Sequence, residues 1–179
     1  MINKNFLNTW NIYYRNNNSN LLYKAVIKNI NGTIDNIDHG AYYSAYNPSG
    51  AFNDNISSTK IGDGTNLESN TSYVFLGSGK TAPTVEDYKL ESLIEYSETG
   101  LNPLNLTILN KTEYDTLRTL ILTVRNDSEE NIEISEIGNY VKLEIDADYS
   151  GTFMIARETF DAITLTPGEV RSFTMTITL

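Results

Sequence analysis

The sequence predicts a mainly β protein: an antiparallel β-sandwich, jelly-roll or immunoglobulin-like, with an extended N-terminal arm and at most one short helix. Three observations carry this reading. Apolar and polar residues alternate with period two in several segments after Thr71, as they do in half-buried strands. Turn signals recur at short spacing between those segments, and no long stretch keeps a helical period.

Residues 1–38 are read as an extended arm and hairpin, and residues 39–179 as one sandwich domain. The first third is crowded with asparagine, including Asn16, Asn17, Asn18 and Asn20, a residue that disfavours helix and strand interiors and favours turns. Within Met1 to Tyr14 the apolar residues fit a helix through Ile2, Phe6 and Trp10 and a strand through Trp10, Ile12 and Tyr14, so that segment is left unassigned. Leu21 to Ile30 reads as a strand, and Asn31-Gly32 before Thr33-Ile34 predicts a two-residue hairpin turn. A tyrosine-rich stretch from Ala41 to Tyr46 ends in the turn Asn47-Pro48-Ser49-Gly50.

Tyr73 to Leu76 and Leu104 to Leu109 are short apolar runs. Between Thr119 and Arg125, Leu120, Leu122 and Val124 alternate with polar residues and should face the core. Asn126 to Asn131 turns the chain into Ile132 and Ile134, and Gly138 marks a bulge or bend before Val141, Leu143 and Ile145. Asp148 to Gly151 is a turn into Thr152 to Arg157. Thr166-Pro167-Gly168-Glu169 has proline and glycine where a type II turn prefers them. It launches a strand in which Phe173, Met175, Ile177 and Leu179 alternate with Thr174, Thr176 and Thr178. Thr84 to Ile94 is the one segment that reads as helix, with Thr84 as cap and Glu86 and Asp87 in the first turn.

Composition narrows the function. At 179 residues, with 40% hydrophobic residues, the chain can form a core without staples. The absence of cysteine excludes disulfides, thiolate zinc sites and cysteine nucleophiles, and the single histidine, His39, excludes multi-histidine metal sites. A net charge of −10 disfavours nucleic acid as a partner. No apolar run approaches the roughly 20 residues of a membrane span, and the start carries no export signal, so a soluble protein is expected.

Candidate chemistry is thin. Gly79-Lys80-Thr81 follows an apolar run as a phosphate loop does, but Val74 stands where that motif needs glycine, and Pro83 removes a donor from the helix start. The acidic pairs Glu86/Asp87, Glu129/Glu130 and Asp146/Asp148 read as solvated surface rather than glycosidase carboxylates. Asp54 and Asp63 lack the ligand spacing of a calcium loop. His39 has no Gly-x-Ser-x-Gly partner and reads as a loop residue. No catalytic, cofactor-binding or metal residues are therefore assigned, and no enzyme activity is expected. Phe6, Trp10, Tyr13 and Tyr14 on the arm, with Tyr42, Tyr43 and Tyr46, are the candidate interface residues; the tyrosine cluster could also stack on sugar rings.

Ser72 to Ser92, SYVFLGSGKTAPTVEDYKLES, resembles a module of tailed-bacteriophage virion proteins: a short strand, a glycine-rich turn, Thr-Ala-Pro-Thr, then Asp-Tyr-x-Leu-Glu. Three further pieces follow in the order of that family. They are the strand Thr119 to Asn126 leading into Ile134-Ser135-Glu136-Ile137-Gly138, then FMIARETF at Phe153 to Phe160, then LTPGEVRSFTMTITL at Leu165 to Leu179. The resemblance covers roughly residues 71–179. It implies a non-enzymatic β-sandwich subunit of a phage particle, made in the host cytoplasm and located in the virion. The resemblance does not fix the place in the particle; the leading expectation is a ring or similar homo-oligomer at the tail or head-tail neck, with itself and other virion proteins as partners. The alternatives are a head fibre or capsid decoration protein, and a carbohydrate-binding attachment module using Tyr42, Tyr43 and Tyr46.

Overall fold

The computed structural model describes residues 1–5, 24–38, 59–60, 71–109, 117–146 and 149–178. Nine strands occur among them: β1 (Lys24–Lys28), β2 (Ile34–Asp38), β3 (Thr59–Lys60), β4 (Thr71–Gly77), β5 (Leu101–Leu109), β6 (Leu117–Asn126), β7 (Ile132–Asp146), β8 (Tyr149–Leu165) and β9 (Val170–Thr178). One sheet has the order β3-β4-β7-β8, a second has the order β5-β6-β9, and β1 and β2 form a separate hairpin. All pairings are antiparallel except the short β3–β4 pair. The mainly β fold expected from the sequence is the fold observed.

The two larger sheets enclose one core. Sheet β5-β6-β9 contributes Leu101, Leu120, Leu122, Val124, Phe173, Met175 and Ile177, and the facing sheet contributes Val74, Leu76, Ile137, Met154 and Leu165 among others. The alternation read in β6 and β9 holds: Leu120, Leu122, Val124, Phe173, Met175 and Ile177 are buried, while Thr174 and Thr176 are exposed. Leu179 lies outside the described residues. Tyr73, Val74, Phe75 and Leu76 are all buried, as expected of a strand covered on both faces, with Phe75 edge-on to Tyr140 at 5.3 Å. β5 is less apolar in its placement than its run of leucines suggests, since Leu104 and Leu109 are exposed.

The turns match the sequence in place and differ in detail. The β8–β9 connection is a type II turn, with Gly168 at φ 79° and the Glu169 N–H donating to the Thr166 carbonyl at 3.0 Å. The β1–β2 hairpin closes through the Asn29 N–H on the Thr33 carbonyl, so its loop has one residue more than the two predicted, with Gly32 at φ 88°. A three-residue loop with glycine in the left-handed position is the next commonest solution to the same turn. The irregularity expected at Gly138 before Val141 falls one residue on, between Asn139 and Tyr140, while Gly138 itself pairs with Phe75 and Arg157. Glycine suits the position because a Cβ would meet the Leu90 side chain, Cδ2 at 2.9 Å, and push it aside. β8 begins at Tyr149, so Ser150 and Gly151 belong to a strand rather than to the expected turn.

The expected helix at Thr84–Ile94 does not form; the segment is a chain of turns and bends. Asp87 and Thr84 do bond to each other, as a helix start would. The helix does not propagate because side chains from the sheet take its donors: Leu90 N–H donates to the Tyr140 hydroxyl, and the N–H groups of Glu91 and Ser92 donate to Glu136. Tertiary bonds to a buried carboxylate thus outcompete a marginal one-segment helix.

At one end of the sandwich, the fully buried Asn126 joins two crossings between sheets. Its Nδ2 donates to the carbonyls of Glu130 and Leu165, its Oδ1 accepts from Ser128, and its N–H donates to the Glu169 carbonyl. Residues 1–5 lie along the edge of β8 through the antiparallel bridge Ile2–Ala156, with the Asn3 N–H on the Ile155 carbonyl and the Arg157 N–H on the Met1 carbonyl.

Candidate functional site

The densest polar arrangement among the described residues lies between the β4–β5 connection and the strands β7 and β8. Glu136 on β7 is fully buried, and the Arg157 side chain beside it on β8 is 4% exposed. Arg157 Nε donates to Glu136 Oε2 at 2.8 Å, one terminal nitrogen donates to Asp87 at 2.8 Å, and the other reaches Glu91 at 3.5 Å. Glu136 also accepts three backbone N–H groups, from Gly79 at 3.0 Å, Glu91 at 3.1 Å and Ser92 at 2.8 Å. Both of its oxygens are doubly occupied, which is how a buried carboxylate escapes most of its desolvation cost.

The sheet builds this cluster by register. Gly138 opposes Arg157, and β7, buried on both faces from Ile134 to Val141, holds Glu136 inside the sandwich. Burial works against the charge on Arg157, but its bonds to Asp87 and Glu136 outweigh that and raise its pKa. Burial likewise works against Asp87, and the Thr84 N–H and Arg157 overcome it to hold the carboxyl below its usual range. Glu91 is lowered chiefly by the Thr81 N–H and hydroxyl. Burial pushes the phenols of Tyr96 and Tyr140 up; the Tyr96 hydroxyl donates to the Val74 carbonyl.

The Gly79-Lys80-Thr81 loop belongs to the same arrangement. The Gly79 N–H is bonded to Glu136, and the N–H groups of Lys80 and Thr81, with the Thr81 hydroxyl, all donate to one oxygen of Glu91. Lys80 Nζ meets Glu133 at 2.7 Å. The donors that a phosphate would need are taken by the chain's own carboxylates. These bonds clamp residues 79–92 against the sheet.

Glu86 and Asp87 do not act as a pair, and Asp148 lies outside the described residues. Glu86 meets Lys4 at 3.1 Å while Asp87 turns to Arg157, and Glu129 and Glu130 are exposed. The candidate interface residues Phe6, Trp10, Tyr13, Tyr14, Tyr42, Tyr43 and Tyr46 lie outside the described residues, as do His39, Asp54 and Asp63. Among the described residues, no group of three or more His, Cys, Asp or Glu could hold a metal ion, and no helix is long and apolar enough to cross a membrane.

Sequence reasoning did not assign Glu136 and Arg157 a role. The available signal was a lone charge in each of two otherwise strand-like runs, Ile134 to Gly138 and Phe153 to Arg157. A charge at a core position asks for a partner at another core position. No protein-family model, no curated protein and no solved structure matches this chain.

Proposed function

We propose that the chain is a non-enzymatic structural subunit of a tailed-bacteriophage particle, assembling as a ring or similar homo-oligomer at the tail or head-tail neck. One observation favours it. Three of the four pieces that carry the resemblance, separate in sequence, meet in the clamp: Gly79, Asp87 and Glu91 from the first, Glu136 from Ile-Ser-Glu-Ile-Gly, and Arg157 from Met-Ile-Ala-Arg. Residues that share one structural task are a more specific likeness than four unrelated fragments. Their task is to fasten a loop, in keeping with a building block rather than a catalyst. The net charge of −10 also suits a protein whose partners are proteins and not the packaged nucleic acid.

Light scattering and negative-stain images of the purified chain test the assembly. Closed rings or short stacked tubes are the expected result. Gold-labelled antibody against the chain should mark the tail or neck of particles; label on the capsid face alone would favour a decoration protein, and unlabelled particles would remove the reading.

A further inference from the structure

The sequence contains one Asn-Gly step, Asn31-Gly32, and it falls at the tip of the β1–β2 hairpin. Asn31 and Thr33 are exposed, and Gly32 between them is half-buried at φ 88°. The Asn31 side chain is held by its neighbour two residues on. The Thr33 N–H donates to Asn31 Oδ1 at 2.9 Å, and the Thr33 hydroxyl donates to the same oxygen at 2.7 Å. Among the described residues nothing bonds Asn31 Nδ2. The side-chain amide is therefore polarised at its oxygen and loose at its nitrogen, in contact with water. Next to it, Gly32 has no side chain to shield its peptide nitrogen.

We propose that Asn31 is a self-modification site, at which the Gly32 nitrogen displaces the Asn31 side-chain amide while Thr33 stabilises the charge that develops. The Gly32 nitrogen loses its proton to solvent base and bonds to Asn31 Cγ, and the C=O electron pair moves onto Oδ1. Both Thr33 donors already meet that oxygen, the placement that lowers the barrier to acyl transfer. When the pair returns, the Cγ–Nδ2 bond breaks and the nitrogen leaves as ammonia with a proton from water, closing a cyclic imide. Water then adds to either imide carbonyl and its C–N bond breaks, leaving aspartate or isoaspartate at position 31. One bond restrains the reaction: the Gly32 N–H donates to the Asn29 carbonyl at 2.8 Å. It is a lone bond at an exposed turn, so local opening of the tip releases it. The turn also touches the rest of the molecule. A Cβ on Gly32 would lie 3.7 Å from the Tyr88 hydroxyl, Lys28 Nζ sits 3.8 Å from the centre of the Tyr88 ring, and the Ile30 N–H bonds the Thr152 carbonyl at 3.0 Å. Isoaspartate adds a methylene to the main chain of a loop that closes at Asn29 and Thr33, so the product holds the hairpin less firmly against residues 79–92 and β8.

Peptide mapping of the full chain, aged at mildly alkaline pH, reads the reaction by the mass gain of amide-to-acid conversion and by isoaspartate labelling. Conversion should concentrate at Asn31, with the fully buried Asn126 as the unreactive control. Thr33→Val keeps the N–H but loses the hydroxyl, and should slow conversion roughly tenfold for the loss of one charge-assisted bond. Thr33→Ser restores the hydroxyl and should restore the rate. In urea, where the turn is gone, the wild type and Thr33→Val should convert alike. The proposal is overturned by Asn31 staying intact in the folded chain while the urea-unfolded chain converts. It is equally overturned by folded Thr33→Val converting as fast as the wild type, or by a slowing that persists undiminished in urea.

Discussion

Replacing Arg157 by methionine removes a guanidinium from a site where its side chain is 4% exposed and its partner Glu136 is fully buried. Methionine keeps most of the volume, so the loss is electrostatic rather than a cavity. Glu136 retains its three backbone donors but not its counter-charge, and Asp87 loses a bond at 2.8 Å. Breaking a buried pair in this way costs about 3–5 kcal/mol. For a chain of this size each kcal/mol lowers Tm by about 2–4 °C, so a fall of roughly 6–20 °C is expected. Asp87→Ala, at a more exposed position, should cost less, about 1.5–3 kcal/mol for a charged hydrogen bond. Urea melts at pH 7 measure both, and hydrogen exchange at the Gly79, Glu91 and Ser92 amides should accelerate in Arg157→Met. A loss below about 1 kcal/mol, or a larger loss for Asp87→Ala, would refute the clamp, since either would place the energy of the site outside the buried pair.

Ile177→Ala should destabilise by about 2–5 kcal/mol through lost burial and a residual cavity, whereas Thr176→Ala should cost on the order of 0.5 kcal/mol; equal losses in urea would mean that the faces of β9 are misassigned. Asp87 and Glu91 have lowered pKa values, so their stabilisation is present above the ordinary carboxylate range and is lost as pH falls through the lowered values. Glu158 runs the other way: burial raises its pKa, so stability falls as pH rises through its window, and Glu158→Gln should raise the urea midpoint at pH 7. Gly168→Ala meets no atom within 4 Å but holds φ at 79°, so it should cost about 1–2 kcal/mol from backbone strain alone.

What could be read from sequence was what depends on neighbours in sequence. The period-two faces of β6 and β9 and the Pro167-Gly168 turn rest on local geometry, and they stand as read. The helix at Thr84 failed for a non-local reason, since Tyr140 and Glu136 arrive from β7 to take its donors. The role of Gly138 was also non-local: its signal looked like a bulge, but the constraint is the approach of Leu90 from a distant loop. The clamp was the hardest to see, because Glu136 and Arg157 become neighbours only through the pairing of β7 with β8, whose register no spacing announces.

Asn126 gives the sandwich a property that neither sheet has alone. The β6–β7 crossing is held through Ser128 and Glu130, and the β8–β9 crossing through Leu165 and Glu169, yet both sets of bonds end on this one residue. If either crossing lifts, the amide loses part of its hydrogen bonding inside a fully buried site, a loss that weakens its hold on the other crossing as well. Opening of either connection therefore favours opening of the other. That end of the molecule is a single cooperative unit, and strands far apart in the chain inherit a common threshold for unfolding.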